Sequence, residues 1–318
     1  MLAAVLFLTP CHAAQTPPSL SAKSAILMDA DSGRVLLAQN ADARSRIAST
    51  TKILTGLLVC EQMALEKTVR VPKEAVGLEG SSMYLTAGEQ ITVRELLYGL
   101  LLRSGNDAAA ALAILCDGSA ARFAERMNAR AAQLGMENSH FCNPSGLDED
   151  GHFSTRAALR NAAFREAVGT KCITLGSRVL ENHNRLLWRY PGANGVKTGY
   201  TRAAGRVLVS SACRGGRTLI AVTICDPNDW DDHTRLLDFG FSAYPARALC
   251  EAGESFGSVP ISGSLVPSTA VLAKETVSYP LGAEETVTME TELSPALTAP
   301  VSAGQPVGRV VFYMYWST

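Results

Sequence analysis

The chain has 318 residues, 47% hydrophobic and 19% charged, which fits one large or two smaller globular domains and excludes a disordered protein. Lys and Arg number 29 against 30 Asp and Glu, a formal net charge of -1, so no basic excess is present to neutralise a nucleic-acid backbone. No stretch reaches the ~20 apolar residues that a membrane-spanning helix needs.

The chain opens with a short apolar run, Leu2–Leu8, followed by Thr9-Pro10 and small residues up to Ala14. The run is too short to span a bilayer and the small residues suit a signal peptidase, so residues 1–14 are expected to be a signal peptide cut near Ala13 or Ala14. A basic n-region is missing, and a buried N-terminal strand is the competing reading. Residues 15–24 form a polar segment without a regular pattern. Ala25–Met28 and Val35–Ala38 predict two strands joined through Asp31-Ser32-Gly33. After Ser49, the apolar residues Ile53, Leu54, Leu57 and Leu58 recur at helical spacing. Val93, Leu96, Leu97, Leu100 and Leu101 predict a second, strongly amphipathic helix. A third is capped by Ser119, carries Phe123 and Met127 on one face and stops at Gly135. Val207–Val209 and Leu219–Val222 flank Arg214-Gly215-Gly216-Arg217, the pattern of a β-hairpin.

After about Pro245 helical periodicity ends. Thr, Val and Glu alternate, as in Glu285–Thr291, between turns rich in Pro and Gly. The expected organisation is therefore a signal segment 1–14, an α+β catalytic domain 15–245 and a small all-β domain 246–318. Of 8 cysteines, Cys11 leaves with the signal, and the remaining odd number cannot pair completely. None forms C-x-x-C, and five scattered histidines suggest no cluster, so no metal site is expected. Cys60, Cys116 and Cys225 lie in apolar runs and read as small core residues.

Three short motifs carry chemistry. Ser49-Thr50-Thr51-Lys52 has the form S-x-x-K at the start of an apolar helix. Ser104-Gly105-Asn106 follows the second amphipathic helix and opens an Ala-rich one. Lys197-Thr198-Gly199 opens a strand-like stretch. A serine hydroxyl attacks only when a base takes its proton. On a helix, positions i and i+3 share a face, so Lys52 reaches Ser49. Lysine serves as that base when burial and a second cation depress its pKa, and Lys197 supplies the cation. The trio resembles the motif set of penicillin-binding proteins. That resemblance implies that Ser104 would relay a proton to the leaving amine, that Asn106 would hold a substrate amide, and that Lys197 and Thr198 would hold a terminal carboxylate. It implies too that the backbone N–H groups of Ser49 and Tyr200 would form an oxyanion hole, helped by a helix N-terminus at Ser49. Taken alone, S-x-x-K arises by chance about once in a chain of this size. Alone, Ser49 reads as an N-cap, S-G-N as a turn and K-T-G as a loop. Together, each occurring once and in this order, they do not.

The trio is the motif set of penicillin-binding proteins and related β-lactamases. The chain resembles the D-alanyl-D-alanine carboxypeptidases, the low-molecular-mass penicillin-binding proteins. The likeness extends to Arg103–Ala109, to Phe141–Leu147 with its Asn-Pro-Ser-Gly-Leu run, to His152–Thr155, and to Gly195–Thr201 with Ala204-Gly205. It implies a penicillin-binding, transpeptidase-like α+β fold: a five-stranded antiparallel sheet with a helical cluster, plus a C-terminal β-rich domain. It implies that Ser49 attacks the penultimate D-Ala carbonyl of a peptidoglycan stem pentapeptide and that water then hydrolyses the acyl-enzyme. Ser49, Lys52 and Ser104 are the implied catalytic residues; Asn106, Lys197, Thr198, Gly199 and Tyr200 bind substrate. No metal or organic cofactor is implied, β-lactams acylate the same serine, and the protein is expected outside the cytoplasmic membrane.

The chain departs from the family pattern in three places. The helix between Thr155 and Phe164 reads as two to three turns short. The segment Asp226–Thr234 lacks an arginine that some relatives use for the substrate carboxylate, leaving Arg235 as the weak substitute. The C-terminal end shows no amphipathic membrane-anchoring helix. Two other functions compete: a wall-binding protein that kept the pocket but lost turnover, and a class A-like β-lactamase. Gly at position 105, and no convincing acidic loop between the second and third motifs, weigh against the second.

Overall fold

The computed structural model describes residues 15–154 and 162–316. The expected signal segment and most of the shortened stretch between Thr155 and Phe164 lie outside the described residues. The described residues separate into two compact units, one reaching from residue 17 to residue 240 and the other lying from residue 241 onward.

In the larger unit, β1 (Ser24–Asp29) and β2 (Val35–Gln39) form the predicted hairpin, with Gly33 at φ 73° in the turn. The chain then crosses a 3₁₀ turn, Ala48–Thr51, into α1 (Lys52–Gln62). Short paired strands β3 (Thr68–Arg70) and β4 (Gln90–Thr92) lead to α2 (Val93–Leu101). Thr92 and Glu95 close a capping box at its start, satisfying two otherwise unpaired N–H groups. Next come α3 (Asn106–Asp117) and α4 (Ala120–Gln133). The Ser119 side chain caps α4 through Arg122 N–H, and Gly135 at φ 71° follows its end, as the sequence predicts. After α5 (Ala162–Gly169), a hairpin of β5 (Cys172–Leu175) and β6 (Arg178–Glu181) precedes α6 (Leu186–Arg189). Then β7 (Ala193–Thr201), β8 (Gly205–Arg214) and β9 (Arg217–Ile224) run antiparallel, and α7 (Asp229–Ala243) closes the unit.

The main sheet has the order β2-β1-β9-β8-β7, every neighbour antiparallel, which places β7 on an edge. Side chains alternate across it. Val196, Val209 and Ile220 face a core shared with α1, α2, α3 and α5, including Ile53, Leu97, Leu100 and Phe164. On the other face, Gly240 of α7 has no room for a side chain beside Leu27 and Leu219. Buried His233 of α7 bridges Ser210 Oγ at 2.6 Å and Thr223 Oγ1 at 2.9 Å. Burial drives its pKa down to about 3, so it is held neutral.

Beyond the last turn of α7, the described part of the smaller unit contains only strands. β10 (Ala246–Cys250), β11 (Ser255–Ser262), β12 (Ser268–Leu272), β13 (Val277–Pro280), β14 (Glu285–Leu293), β15 (Leu297–Thr298) and β16 (Gly308–Trp316) follow in order. β10 pairs with β13, β11 with both β12 and β15, and β14 with β16 along its whole length. Val259, Val271 and Leu297 make its small core.

The cysteine expectation needs correction. Cys60 and Cys116 are only half-buried at the margin of the core, and Cys225 is exposed. Cys225 directly follows β9 at φ 52°, where the chain leaves the sheet, so the strand stops one residue earlier than the apolar pattern suggests. Among the described residues no helix is long and apolar enough to cross a membrane.

Candidate active site

The three motifs converge. A groove of about 770 Å³ is lined by Ser49, Ser104, Thr198, Gly199 and Tyr200, while Lys52, Asn106 and Lys197 are buried.

Ser49 does not cap an α-helix, as the sequence suggests; it lies in the 3₁₀ turn, and α1 begins at Lys52. The consequence is favourable. In a 3₁₀ turn residues i and i+3 eclipse, which aligns the two side chains more closely than an α-turn does. Lys52 Nζ sits 3.0 Å from Ser49 Oγ, 2.7 Å from Asn106 Oδ1 and 2.6 Å from the Ser145 carbonyl oxygen. Neutral lysine has two N–H bonds, and the two carbonyl-type acceptors take both. Its lone pair is then left for the Ser49 hydroxyl proton. Burial is the largest cause of a pKa far below the usual lysine value, and the Lys197 charge lowers it further against the opposing pull of Asp107. Lys197 is itself pushed down to about 7 by burial, with Nζ donating to the Thr198 carbonyl at 2.8 Å.

Asn106 has both ends of its amide committed. Oδ1 accepts from Lys52, and Nδ2 donates to the Glu79 carbonyl at 2.7 Å, which fixes the orientation of the amide. In this geometry Asn106 positions the lysine. Asp107 organises the facing loop, accepting from Ser82 Oγ at 2.6 Å and from the N–H groups of Met83 and Leu85 at 3.1 Å each. Ser104 sits at φ 59°, a left-handed conformation costly for a non-glycine residue, and its buried hydroxyl has no partner among the described residues. Ser104 lines the same groove as Ser49.

Lys197-Thr198-Gly199 lies inside β7 rather than at its start. As an edge strand, β7 runs close beside the nucleophile. A Cβ on Gly199 would stand 3.1 Å from the Ser49 amide nitrogen, so only glycine lets the strand approach this closely. Tyr200, 69% exposed, follows at the groove wall.

Several supporting residues escaped the sequence reading, although the runs that contain them were singled out. Ser145 offers Lys52 an acceptor. Gly146, at φ 82°, packs against the Ala48 carbonyl with no space for a side chain. His152 Nδ1 accepts from Cys142 N–H at 3.1 Å, so its Nε2–H donates to Thr51 Oγ1 at 2.7 Å. Burial pushes this histidine down to about 4 and keeps it neutral. Arg235 is not the arginine of the groove, because it is paired with Asp232 of its own helix. The guanidinium that lines the groove from β8 is Arg206, directly across from Tyr200 in the strand register and held by Asp229.

Comparison with known proteins agrees with this architecture. The family profile described as D-alanyl-D-alanine carboxypeptidase matches residues 11–228, and that of the penicillin-binding protein 5 C-terminal domain matches residues 244–315. The D-alanyl-D-alanine carboxypeptidase DacF of Bacillus subtilis is 34% identical over 314 residues, spanning 91% of this chain and 81% of that protein. DacC of Escherichia coli is 34% identical over 324 residues, 93% of this chain and 81% of its own. The crystal structure of penicillin binding protein 5 from Haemophilus influenzae superposes with a TM-score of 0.76 at 30% identity, covering 94% of both chains. The fold is the penicillin-binding, transpeptidase-like α+β fold with a penicillin-binding protein 5 C-terminal domain, and the chain belongs to the D-alanyl-D-alanine carboxypeptidase family of serine peptidases.

Proposed function

We propose that this protein removes the terminal D-alanine from peptidoglycan stem pentapeptides through an acyl-enzyme on Ser49. The observation that carries the reading is Lys52 Nζ at 3.0 Å from Ser49 Oγ, with Asn106 Oδ1 and the Ser145 carbonyl taking its two N–H bonds. Neutral Lys52 accepts the hydroxyl proton while Oγ attacks the penultimate D-Ala carbonyl. The oxyanion forms against the N–H groups of Ser49 and Tyr200. The proton passes through Ser104 to the leaving amine, the C–N bond breaks, and free D-alanine departs. Water then attacks the ester carbonyl, giving up its proton to Lys52, and Ser49 Oγ leaves with that proton restored. Lys197 and Thr198 hold the terminal carboxylate, with Gly199 allowing the close approach of β7. A β-lactam enters the same sequence as far as the acyl-enzyme.

The substrate class places this activity on the outer side of the cytoplasmic membrane, with residues 1–14 as the export signal. The change of composition near Pro245 supports a boundary there between the catalytic and β-rich domains.

Release of D-alanine from a synthetic stem peptide ending in D-Ala-D-Ala, measured beside Ser49→Ala, tests the reading. Release that vanishes in the variant is expected. A folded wild-type chain that forms a penicillin adduct but releases no D-alanine would instead make the protein a wall-binding one.

A further inference from the structure

The groove carries charge that the chemistry at Ser49 does not use. Four arginines line it, Arg103, Arg185, Arg189 and Arg206, against the two carboxylates Glu181 and Asp229, in a chain of net charge -1. Arg206 is committed: one guanidinium nitrogen lies 2.8 Å from both oxygens of Asp229, and its carbon stands 5.5 Å from the Trp230 ring centre. Arg103, Arg185 and Arg189 have no ion-pair partner among the described residues.

Arg185 and Arg189 stand on a wall whose position is tightly set. Buried Asn182 donates to the carbonyls of Val168 at 3.1 Å and Thr170 at 3.0 Å. Its Oδ1 accepts from Asn184 N–H at 2.9 Å, and Asn184 Oδ1 accepts from Leu186 N–H at 3.1 Å. This chain of bonds starts α6 and seats Leu186 and Leu187 in the core, leaving Arg185, Trp188 and Arg189 exposed. Trp188, 48% exposed between the two arginines, offers an apolar surface to an extended chain. At the groove, burial lowers the His183 pKa from its usual value, and the Lys197 and Arg103 charges lower it further against the opposing pull of Glu181.

We propose that the α6 wall is a subsite for the carboxylates of the stem peptide upstream of D-Ala-D-Ala, so that the enzyme selects stems whose γ-linked glutamate and third residue carry free carboxylates. The proposal rests on the carboxypeptidase reading and deepens it. Guanidinium groups pair with carboxylates through a planar, charge-assisted fork and gain less from a neutral amide, which offers a single carbonyl oxygen at the same place. The terminal carboxylate is assigned to Lys197 and Thr198, which leaves the α6 arginines for charges further along the peptide.

Two pentapeptides test this, identical except that the glutamate and third-residue carboxylates are free in one and amidated in the other. Because partly exposed pairs give a few-fold each, kcat/KM for D-alanine release is expected to be about tenfold higher for the free acid at low salt. The ratio of the two rates falls towards one in Arg185→Gln/Arg189→Gln and in wild type at high salt. It is internal to one preparation, so partial misfolding of the variant does not alter it. Equal rates in wild type, or a preference that survives the double substitution, would overturn the subsite. Failure of folded wild type to cleave either peptide would overturn the carboxypeptidase reading itself.

Discussion

Gly199→Ala adds one methyl group at the narrowest point of the site. Its Cβ would meet the Ser49 amide nitrogen at 3.1 Å, and Ala48 Cβ and the Ile47 carbonyl oxygen at 3.2 Å each. Ordinary contact begins near 3.4 Å, and none of these three atoms ends a flexible side chain that could swing away. Strand β7 and the 3₁₀ turn must therefore part by a few tenths of an ångström, which moves the Ser49 N–H away from the oxyanion. Removing such a donor outright costs about 10²–10³ in rate. A displacement is expected to slow acylation by roughly 10²-fold, about 2.7 kcal/mol in the barrier. The backbone at residue 199 is not left-handed, so alanine is tolerated there and overpacking costs the fold only ~1 kcal/mol. The assay is the second-order rate of acylation by a reporter penicillin, with a thermal melt on the same sample. A folded variant that acylates at the wild-type rate would refute the placement of the oxyanion hole.

Other consequences are equally direct. Lys52 acts when neutral, so acylation falls as pH drops through its pKa, and the Lys197 charge is one cause of that pKa being low. Lys197→Gln should therefore move the acid limb of the acylation profile to higher pH, whereas an unmoved or downward limb contradicts the assignment. His152 and His233 are held neutral, at about 4 and about 3, against 6.5 for the free side chain. Their folded pKa values are depressed, so the stability they confer is complete above 6.5 and is lost as pH falls towards those values. By pH 5 the loss is about 2 kcal/mol for each, and His233→Gln should flatten about half of the slope in denaturant titrations. Asp107→Ala strands the buried N–H groups of Met83 and Leu85, an expected cost of roughly 2–4 kcal/mol in urea unfolding together with slower acylation. Normal stability in that variant would show that other groups hold the loop.

What was legible in the sequence follows from local physics. The β1–β2 and β8–β9 hairpins announce themselves by alternation around glycine turns, and α2 and α4 by apolar spacing and capping residues, because each is decided within a few residues. The nucleophile and its base are legible for the same reason, being three residues apart. The 3₁₀ turn was not, since a single-turn departure from α geometry leaves the i, i+3 spacing unchanged. Nor was the commitment of Asn106 to Lys52, which depends on carbonyls of Glu79 and Ser145 brought from remote parts of the chain. Arg206 was overlooked for Arg235 because cross-strand register, which sets Arg206 opposite Tyr200, is not visible as a motif. Cys225 looked like core because its neighbours are apolar, and only the end of β9 shows that it faces outward.

The central claim is that Ser49 is the atom source of the acyl-enzyme and Lys52 its base. The most direct measurement is intact mass after exposure to a β-lactam, followed by peptide mapping, in wild type, Ser49→Ala and Lys52→Ala. One stoichiometric adduct confined to Ser49 is expected in wild type, none in Ser49→Ala and strongly slowed formation in Lys52→Ala. An adduct on any other residue, or one that forms at the wild-type rate without Lys52, would contradict it.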